Sequence, residues 1–193
     1  MQSLKNLTAM LEARGDDTTS LKEQAQSLDS PSFYGDAPLE LFSDHTHVFY
    51  CLTKDILKKL IKDLKEMEAD DMITQWGVKQ FIVIEKPSQT SLAVLEEMDK
   101  RLLGLDGQLQ IFDIRNLLFN PATHIYTPKH EKMTDAEIKV LLDQYNVKSR
   151  SQLPIILKSD VMARWLGLRH GDVVRIHRTN PNSGEALFYR YVV

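Results

Sequence analysis

The sequence has few of the features on which small secreted proteins and membrane-spanning proteins depend. Among its 193 residues only Cys51 is a cysteine, so no disulfide bond can form within the chain. No apolar run approaches the roughly 18 residues that a membrane-spanning helix needs, and the opening "MQSLKNLTAM" lacks the apolar core of a signal peptide. We therefore expect a protein of a reducing intracellular compartment, with Cys51 as a small buried hydrophobic residue.

Patterns that bind phosphate or metal are also missing. No glycine-rich phosphate loop precedes any helix pattern in the sequence. His45 and His47 lie beside Asp44, but no fourth ligand is evident, so a polar entry to a strand is favoured over a metal site. His124 and His130 are six positions apart, a spacing that favours buried hydrogen bonding in an irregular loop. We expect no metal and no cofactor.

The segment "VIEKP" bears on whether the chain is a magnesium-dependent nuclease. An α/β domain with acidic strand ends raises that possibility, because such enzymes gather carboxylates around Mg²⁺ with a lysine two positions beyond one of them. Here Lys86 follows Glu85 directly, and neighbouring residues of a strand point to opposite sides. The expectation is a protein without an active site.

Charge is distributed unevenly along a chain of ordinary composition. Residues 1–120 contain 13 Lys and Arg against 20 Asp and Glu, a net charge of −7, whereas residues 121–193 contain 11 against 7, a net charge of +4. This asymmetry favours two domains with different partners, a division that we place at residue 120. The positive charge of the second part is too small to indicate nucleic-acid binding by itself.

Residues 1–120 show strand and helix patterns in alternation. Patterns typical of strands occur in "HVFYCL", "KQFIVIEK" and "LQIFDIRNLLF", and patterns typical of helices separate them in "TKDILKKLIKDLKEMEADDM" and "SQTSLAVLEEMDKRLLG". A further helix is predicted at "SLKNLTAMLEARG", ending at Gly15. Strands joined by helices of this length predict right-handed crossovers, so the first domain is predicted to be α/β, with a small, mostly parallel sheet covered by helices.

Residues 121–193 predict a small α+β domain. Thr134 and Glu137 form a capping-box pattern at the start of one helix, and Ser159 or Asp160 can cap a short helix that ends at Gly167. The turn-rich "NPNSGEA" lies between two strand patterns and predicts a hairpin. Alternation within these strands predicts one apolar side and one side that carries arginines.

The segments "HIYTPKHEKMTDAEIKVLLDQYNVKSRSQLP", "SDVMARWLGLRHGDVVRIHR" and "SGEALFYRYVV" carry a family resemblance. From about Ile111 to Val193 the chain resembles the fifth subunit shared by eukaryotic nuclear RNA polymerases and the archaeal counterpart of that subunit. Residues 1 to about 110 match that family in architecture only, as its N-terminal jaw domain, whose fold resembles nucleases without their active site. Val161 stands where the family usually has proline, and Tyr126 and Thr127 also depart from the common pattern.

The resemblance implies a non-catalytic subunit of a multisubunit DNA-directed RNA polymerase, located in the nucleus or, for a large DNA virus, in a cytoplasmic viral factory. It implies that residues 121–193 dock on the largest subunit beside other core subunits, and that residues 1–120 lie by the downstream duplex as a jaw. Partners would therefore be polymerase subunits and, weakly and without sequence preference, double-stranded DNA, with no membrane and no homo-oligomer.

Two groups of candidate residues follow. The predicted helix start after the second strand lies where open α/β sheets bind ligands. Plain helix capping also explains the Ser and Thr residues at this place. The resemblance favours DNA proximity for Lys86, Ser88, Gln89, Thr90 and Ser91. The assembly interface is predicted to include His130, Pro154, Asp160, Arg164, Trp165, Arg169, Arg175 and Arg190. For this second group the alternatives are that the arginines are only solvated and that Trp165 is a core residue.

A free-standing transcription regulator is the alternative function. Such a protein would use the C-terminal domain as a dimeric DNA-binding barrel. It would form a homodimer in solution, whereas a polymerase subunit would be a monomer that co-purifies with much larger chains.

Overall fold

The protein divides into two compact units, Met1–Phe119 and Asn120–Val193. A computed structural model describes residues 2–27, 37–51, 53–85, 89–180 and 184–193. Each unit contains its own four-stranded sheet. Within the described ranges, every helix is too short or too polar to cross a lipid bilayer.

The first unit is a mixed sheet with helices. Its elements are α1 (Gln2–Ala13), α2 (Thr19–Ser27), β1 (Leu39–Phe42), β2 (Thr46–Cys51), α3 (Lys54–Glu66), α4 (Ala69–Trp76), β3 (Gln80–Glu85), α5 (Gln89–Leu103) and β4 (Gln108–Asp113). The strand order is β1-β2-β3-β4, in which β2, β3 and β4 are parallel and β1 is an antiparallel edge strand. The parallel part agrees with the prediction from sequence, which did not include β1.

The parallel strands are buried because helices connect them. All six residues of β2 are buried, as expected for a strand that is covered on both faces. One face packs its apolar residues against α3, α4 and α5, and Phe49, Phe81 and Leu109 belong to that core. On the other face, Gln110 accepts a hydrogen bond from Arg14, just beyond the end of α1, at 2.6 Å.

Two elements of the first unit differ from the prediction. The helix predicted over residues 53–72 is broken at Met67 and Glu68, whose backbones are extended, and the break allows Met72 to pack in the same core as Leu64. The third predicted strand ends at Asp113, because that side chain accepts a hydrogen bond from the Arg115 amide and starts a 3-10 turn.

The second unit is a small α+β fold. Its elements are β5 (Lys129–Lys132), α6 (Asp135–Gln144), β6 (Ile155–Ile156), α7 (Val161–Trp165), β7 (Val173–Asn180) and β8 (Gly184–Val192), with the strand order β5-β7-β8-β6. The predicted capping box between Thr134 and Glu137 is present. Asp160, rather than Ser159, caps α7, and Gly167 follows that helix with a φ of 63°. The predicted hairpin is the antiparallel pair β7 and β8.

Both faces of the second sheet are covered. Val174 and Ile176 pack with Ala163 of α7 on one face, whereas Val173 packs with Ile138 of α6 on the other. The predicted division into one apolar side and one arginine-bearing side is therefore wrong. Each face has its own small core.

Candidate docking interface

Strand pairing brings one group of side chains together on the α7 side of the second sheet. Residues directly opposite each other in an antiparallel pair have side chains on the same face. Ile176 of β7 lies between His130 of β5 and Phe188 of β8, and Arg190 lies opposite Val174. Arg178, two residues after Ile176, has its side chain on this same face.

Asp160 at the start of α7 adds a carboxylate to this group. The charge of Asp160 favours the protonated form of His130, whereas the charges of Arg178 and Arg190 disfavour it, so all three groups lie within electrostatic reach of His130. We call His130, Asp160, Arg178, Phe188 and Arg190 the His130 face.

His130 is held as a neutral imidazole. Its Nδ1 lies 2.7 Å from the carbonyl oxygen of Pro128, so Nδ1 donates and Nε2 is left as an acceptor. The pKa of His130 is lowered, and burial is the largest cause. The Nε2 atom of this neutral ring can accept a hydrogen bond from a donor on a partner protein.

Phe188 gives the His130 face an apolar centre. Its side chain is 45% exposed, and the guanidinium carbon of Arg178 lies 4.6 Å from the ring centroid in a cation–π contact. Arg190 is tied to the backbone, since its Nη1 donates to the carbonyl of Ile155 at 3.0 Å. An aromatic ring framed by arginines is typical of residues that anchor protein–protein interfaces.

The structure brings together three of the eight residues predicted for the interface: His130, Asp160 and Arg190. Asp160 also caps α7, because its Oδ1 accepts hydrogen bonds from the Met162 amide at 2.8 Å and the Ala163 amide at 3.3 Å.

Trp165 lies in the interior with 3% of its surface exposed, which is the core alternative considered for it. Arg175 lies opposite Tyr189 on the α6 side of the sheet, where it pairs with Glu131 at 3.0 Å and with Glu137 at 3.3 Å. The prediction of a single surface that contains both Arg175 and Arg190 is therefore wrong.

The other three predicted residues are half-buried or exposed. Arg164 is half-buried, and burial lowers its pKa. Arg169 is also half-buried, and its amide donates to Asp172 at 2.7 Å. Pro154 is exposed and precedes β6, and its carbonyl accepts from the Tyr191 amide at 2.8 Å.

Sequence reasoning did not select Arg178 and Phe188. The signal was present in the alternation of β8, in which Phe188 and Arg190 are two residues apart and so share a face.

The predicted DNA-proximal segment follows β3 in the sequence, and β3 ends at the carboxyl edge of the first sheet. Lys86 and Ser88 lie outside the described residues, and so do the side chains of Gln89, Thr90 and Ser91, although the backbone of these three begins α5. What the structure describes at this edge is the ends of the three parallel strands.

Cys51, Glu85 and Asp113 are register partners at those strand ends. Glu85 is buried, and burial and the charge of Asp113 raise its pKa. Asp113 is paired with Arg115 at 2.6 Å, and hydrogen bonding to Arg115 lowers its pKa. In the described part of the chain, no three His, Cys, Asp or Glu side chains are arranged to bind a metal ion.

Known proteins resemble the second unit of this chain. Residues 119–192 match the family described as "RNA polymerase Rpb5, C-terminal domain". "DNA-directed RNA polymerase subunit Rpo5" of Nitrosopumilus maritimus is 44% identical over 70 residues, which are 36% of this chain and 83% of the relative. The protein of the same name from Methanococcoides burtonii is 41% identical over 75 residues, 39% of this chain and 95% of the relative.

A eukaryotic relative covers a similar length. "DNA-directed RNA polymerases I, II, and III subunit RPABC1" of Caenorhabditis elegans is 41% identical over 85 residues, 44% of this chain and 40% of the relative. Together with the near-complete coverage of the archaeal subunits, these identities establish that the chain belongs to the Rpb5 family of DNA-directed RNA polymerase subunits.

Proposed function

We propose that this chain is a non-catalytic subunit of a multisubunit DNA-directed RNA polymerase, in which the second unit docks on the largest subunit. The observation that carries this proposal is the similarity to whole archaeal Rpo5 subunits, of which this chain covers 83% and 95% in two cases. The alternative of a free-standing dimeric regulator is not favoured, because these relatives are named as polymerase subunits.

The His130 face is the surface that we assign to docking. Phe188 offers an aromatic anchor, Arg178 and Arg190 offer positive charge, and His130 offers an acceptor nitrogen. The matching surface on the largest subunit would have an apolar pocket with carboxylates at its rim. Arginine can meet a carboxylate through two parallel hydrogen bonds, which fixes orientation as well as adding affinity.

The first unit is assigned to the jaw that lies beside the downstream duplex. Its parallel strands and crossover helices fit a nuclease-like fold. At the strand ends Asp113 is engaged by Arg115, and Glu85 is buried with its pKa raised by burial and by the charge of Asp113. The residues that we assign to DNA proximity remain Lys86, Ser88, Gln89, Thr90 and Ser91. The eukaryotic relatives support a nuclear location, with a cytoplasmic viral factory as the counterpart in a large DNA virus.

Native affinity purification tests this function. The full chain would carry an affinity tag at its own locus, and the co-eluting proteins would be identified by mass spectrometry after size-exclusion chromatography. We expect stoichiometric recovery with the two largest polymerase subunits. Elution as a homodimer that binds duplex DNA without any large partner would instead support the regulator.

A separate assay addresses catalysis. The full chain would be incubated with labelled duplex DNA and Mg²⁺, beside the Glu85→Gln variant. We expect no cleavage by either protein. Cleavage that disappears in E85Q would contradict the assignment of a non-catalytic subunit.

A further inference from the structure

Helix α3 presents a row of lysines on the side opposite its buried face. Lys54, Lys58, Lys62 and Lys65 are all exposed. At 100° per residue they fall within an arc of about 80°, and the row is about 16 Å long at 1.5 Å per residue. The buried residues of the helix, which include Leu57 and Leu64, hold this row rigidly against the first unit.

The acidic residues of α3 do not interrupt the row. Asp55, Glu66 and Asp63 project from a neighbouring strip, roughly 100° to 180° around the helix from Lys54. Lys59 lies within that acidic strip. The row and the strip touch only at their border, where Lys58 pairs with Asp55 at 3.4 Å and Lys62 with Glu66 at 3.9 Å.

These border ion pairs are weak. All four side chains are more than two-thirds exposed, and exposed pairs of this kind contribute little binding energy of their own. In the ranges that the structure covers, Lys54 and Lys65 have no carboxylate partner. The row is therefore available for a partner with regularly spaced negative charge.

The position of α3 in the fold favours duplex DNA as the polyanion that binds the lysine row. Helix α3 begins shortly after the last residue of β2, Cys51, and α5 begins shortly after β3, so both helices start from the same carboxyl edge of the parallel sheet. That edge is where the proposed function has the jaw approach DNA. A straight, rigid row of about 16 Å is matched by a rigid duplex, which presents one phosphate per about 3.4 Å along each strand.

We propose that the lysine row Lys54, Lys58, Lys62 and Lys65 of α3 contacts the phosphate backbone of double-stranded DNA. This inference rests on the proposed function for its choice of polyanion, and it assigns the main electrostatic contact of the first unit to a helix face rather than to the segment before α5. The contact is independent of base sequence, because phosphates carry no base identity. It explains how a unit with a net negative charge can guide DNA, since the positive charge is concentrated on one helix face.

A pair of matched double variants tests the row. Lys58→Gln with Lys62→Gln removes two charges from the row. Lys59→Gln with Lys79→Gln also removes two charges, but neither belongs to the row. Lys59 lies in the acidic strip of α3, and Lys79 precedes β3 at the opposite, amino edge of the sheet. Binding of each full-length chain to a fluorescent duplex of about 20 base pairs would be measured by anisotropy across a salt titration from low to physiological ionic strength, beside a single-stranded RNA of equal length. Thermal unfolding would verify that the variants fold.

The wild-type chain is expected to bind the duplex more tightly than the RNA. The K58Q/K62Q variant should bind at least about tenfold more weakly at low salt, and its slope of log affinity against log salt should flatten by about 1.8, which is the loss of two phosphate contacts. The K59Q/K79Q variant should bind as the wild type does. Equal weakening by both variants, no weakening by either, or preference for RNA would overturn the lysine row as a duplex site.

Co-purification separates this inference from the proposed function. The K58Q/K62Q variant should still recover the largest polymerase subunits. A wild-type chain that binds DNA through the row but recovers no polymerase would refute the proposed function and leave the row in place. A chain that recovers polymerase but shows no loss of DNA affinity in K58Q/K62Q would refute the row alone.

Discussion

The Nε2 of His47 lies 3.1 Å from Oε2 of Glu40, across the antiparallel pair of β1 and β2. The imidazole is fully buried, with its ring centroid 4.0 Å from that of Phe42 and 4.0 Å from that of Phe49. Burial lowers the pKa of His47 to about 4. At neutral pH the ring is therefore uncharged and donates its Nε2 proton to Glu40.

The buried neutral imidazole predicts that the first unit loses stability in mild acid. The unfolded chain takes up the His47 proton near pH 6.5, whereas the folded chain takes it up only near pH 4. Stability is thus retained above pH 6.5 and falls as the pH drops towards 4, by about 2–3 kcal/mol. Glu40, whose pKa is raised by burial, contributes a smaller change of the opposite sign at the acidic end. His47→Phe should abolish most of the loss.

Urea unfolding followed by Trp76 fluorescence measures this prediction, since Trp76 packs 5.1 Å from the His47 ring. A Trp165→Phe background removes the signal of the second unit. His45→Gln is the matched control, because His45 is exposed and two residues away. A His45 variant that removes the pH dependence, or an H47F variant that keeps it, would contradict the assignment.

The contacts of Glu131 predict that the second unit loses folding stability over a more acidic pH range than the first unit. It accepts hydrogen bonds from Lys129, from His177 at 2.8 Å and from Arg175 at 3.0 Å, and these contacts lower its pKa to about 2. Because the folded pKa is depressed, this stability is present above about pH 4.5 and is lost between pH 4.5 and 2. After allowance for partial solvent exposure it amounts to about 1 kcal/mol.

The measurement compares Glu131→Gln with the wild type by urea unfolding, followed by Trp165 fluorescence in a Trp76→Phe background. The variant should be less stable at neutral pH, and the difference should shrink towards zero near pH 2, where the folded carboxyl is protonated. Asp143→Asn, a change at an exposed residue of α6, should leave stability unchanged at both values. A difference between E131Q and wild type that is as large in acid as at neutral pH would show that the carboxylate charge is not the cause.

Val161 predicts a stabilising substitution. It is the first residue of α7, a position that tolerates proline because the amide there needs no intrahelical partner. Asp160 before it has φ of −58° and ψ of 144°, which is the conformation that a residue before proline prefers. Val161→Pro should therefore stabilise the second unit by about 0.4–1 kcal/mol, because it restricts the unfolded chain.

Differential scanning calorimetry would show this as a rise in Tm of roughly 2–8 °C for the second unit. Val161→Ala is the control and should give no rise. A Tm that falls in V161P would mean that the Val161 side chain or its amide makes a stabilising contact.

The sequence predicted most elements of this fold, because their signals are local. The capping box of α6, the cap of α7 and the alternation within β7 each depend on residues that are close together in the chain. Strand β1 was missed because it has only four residues, and its existence depends on pairing with β2 across a turn. Short edge strands carry little periodicity of their own.

The same reasoning explains the error in the interface. Alternation correctly separated Val174 from Arg175 within β7 and Phe188 from Leu187 within β8. Which face of β8 joins which face of β7 depends on the hairpin register, and a shift of one residue exchanges the two faces. Only the observed register, with Arg190 opposite Val174, decides that Arg190 and Arg175 lie on opposite faces.

That register makes Phe188 and Leu187 a matched pair for testing the docking surface. The two are adjacent and similarly exposed, at 45% and 50%, but only Phe188 lies on the His130 face. Phe188→Ala should weaken assembly by about 2 kcal/mol or more if the ring fills a pocket on the largest subunit, whereas Leu187→Ala should have little effect. Competition between differently tagged wild-type and variant chains for a limiting amount of polymerase in the source cells measures the difference. F188A should be depleted at least about tenfold from the assembled enzyme, since about 1.4 kcal/mol corresponds to a factor of ten.

Thermal unfolding of each purified variant separates lost docking from lost folding. Depletion of L187A with retention of F188A would move the interface to the α6 side of the sheet.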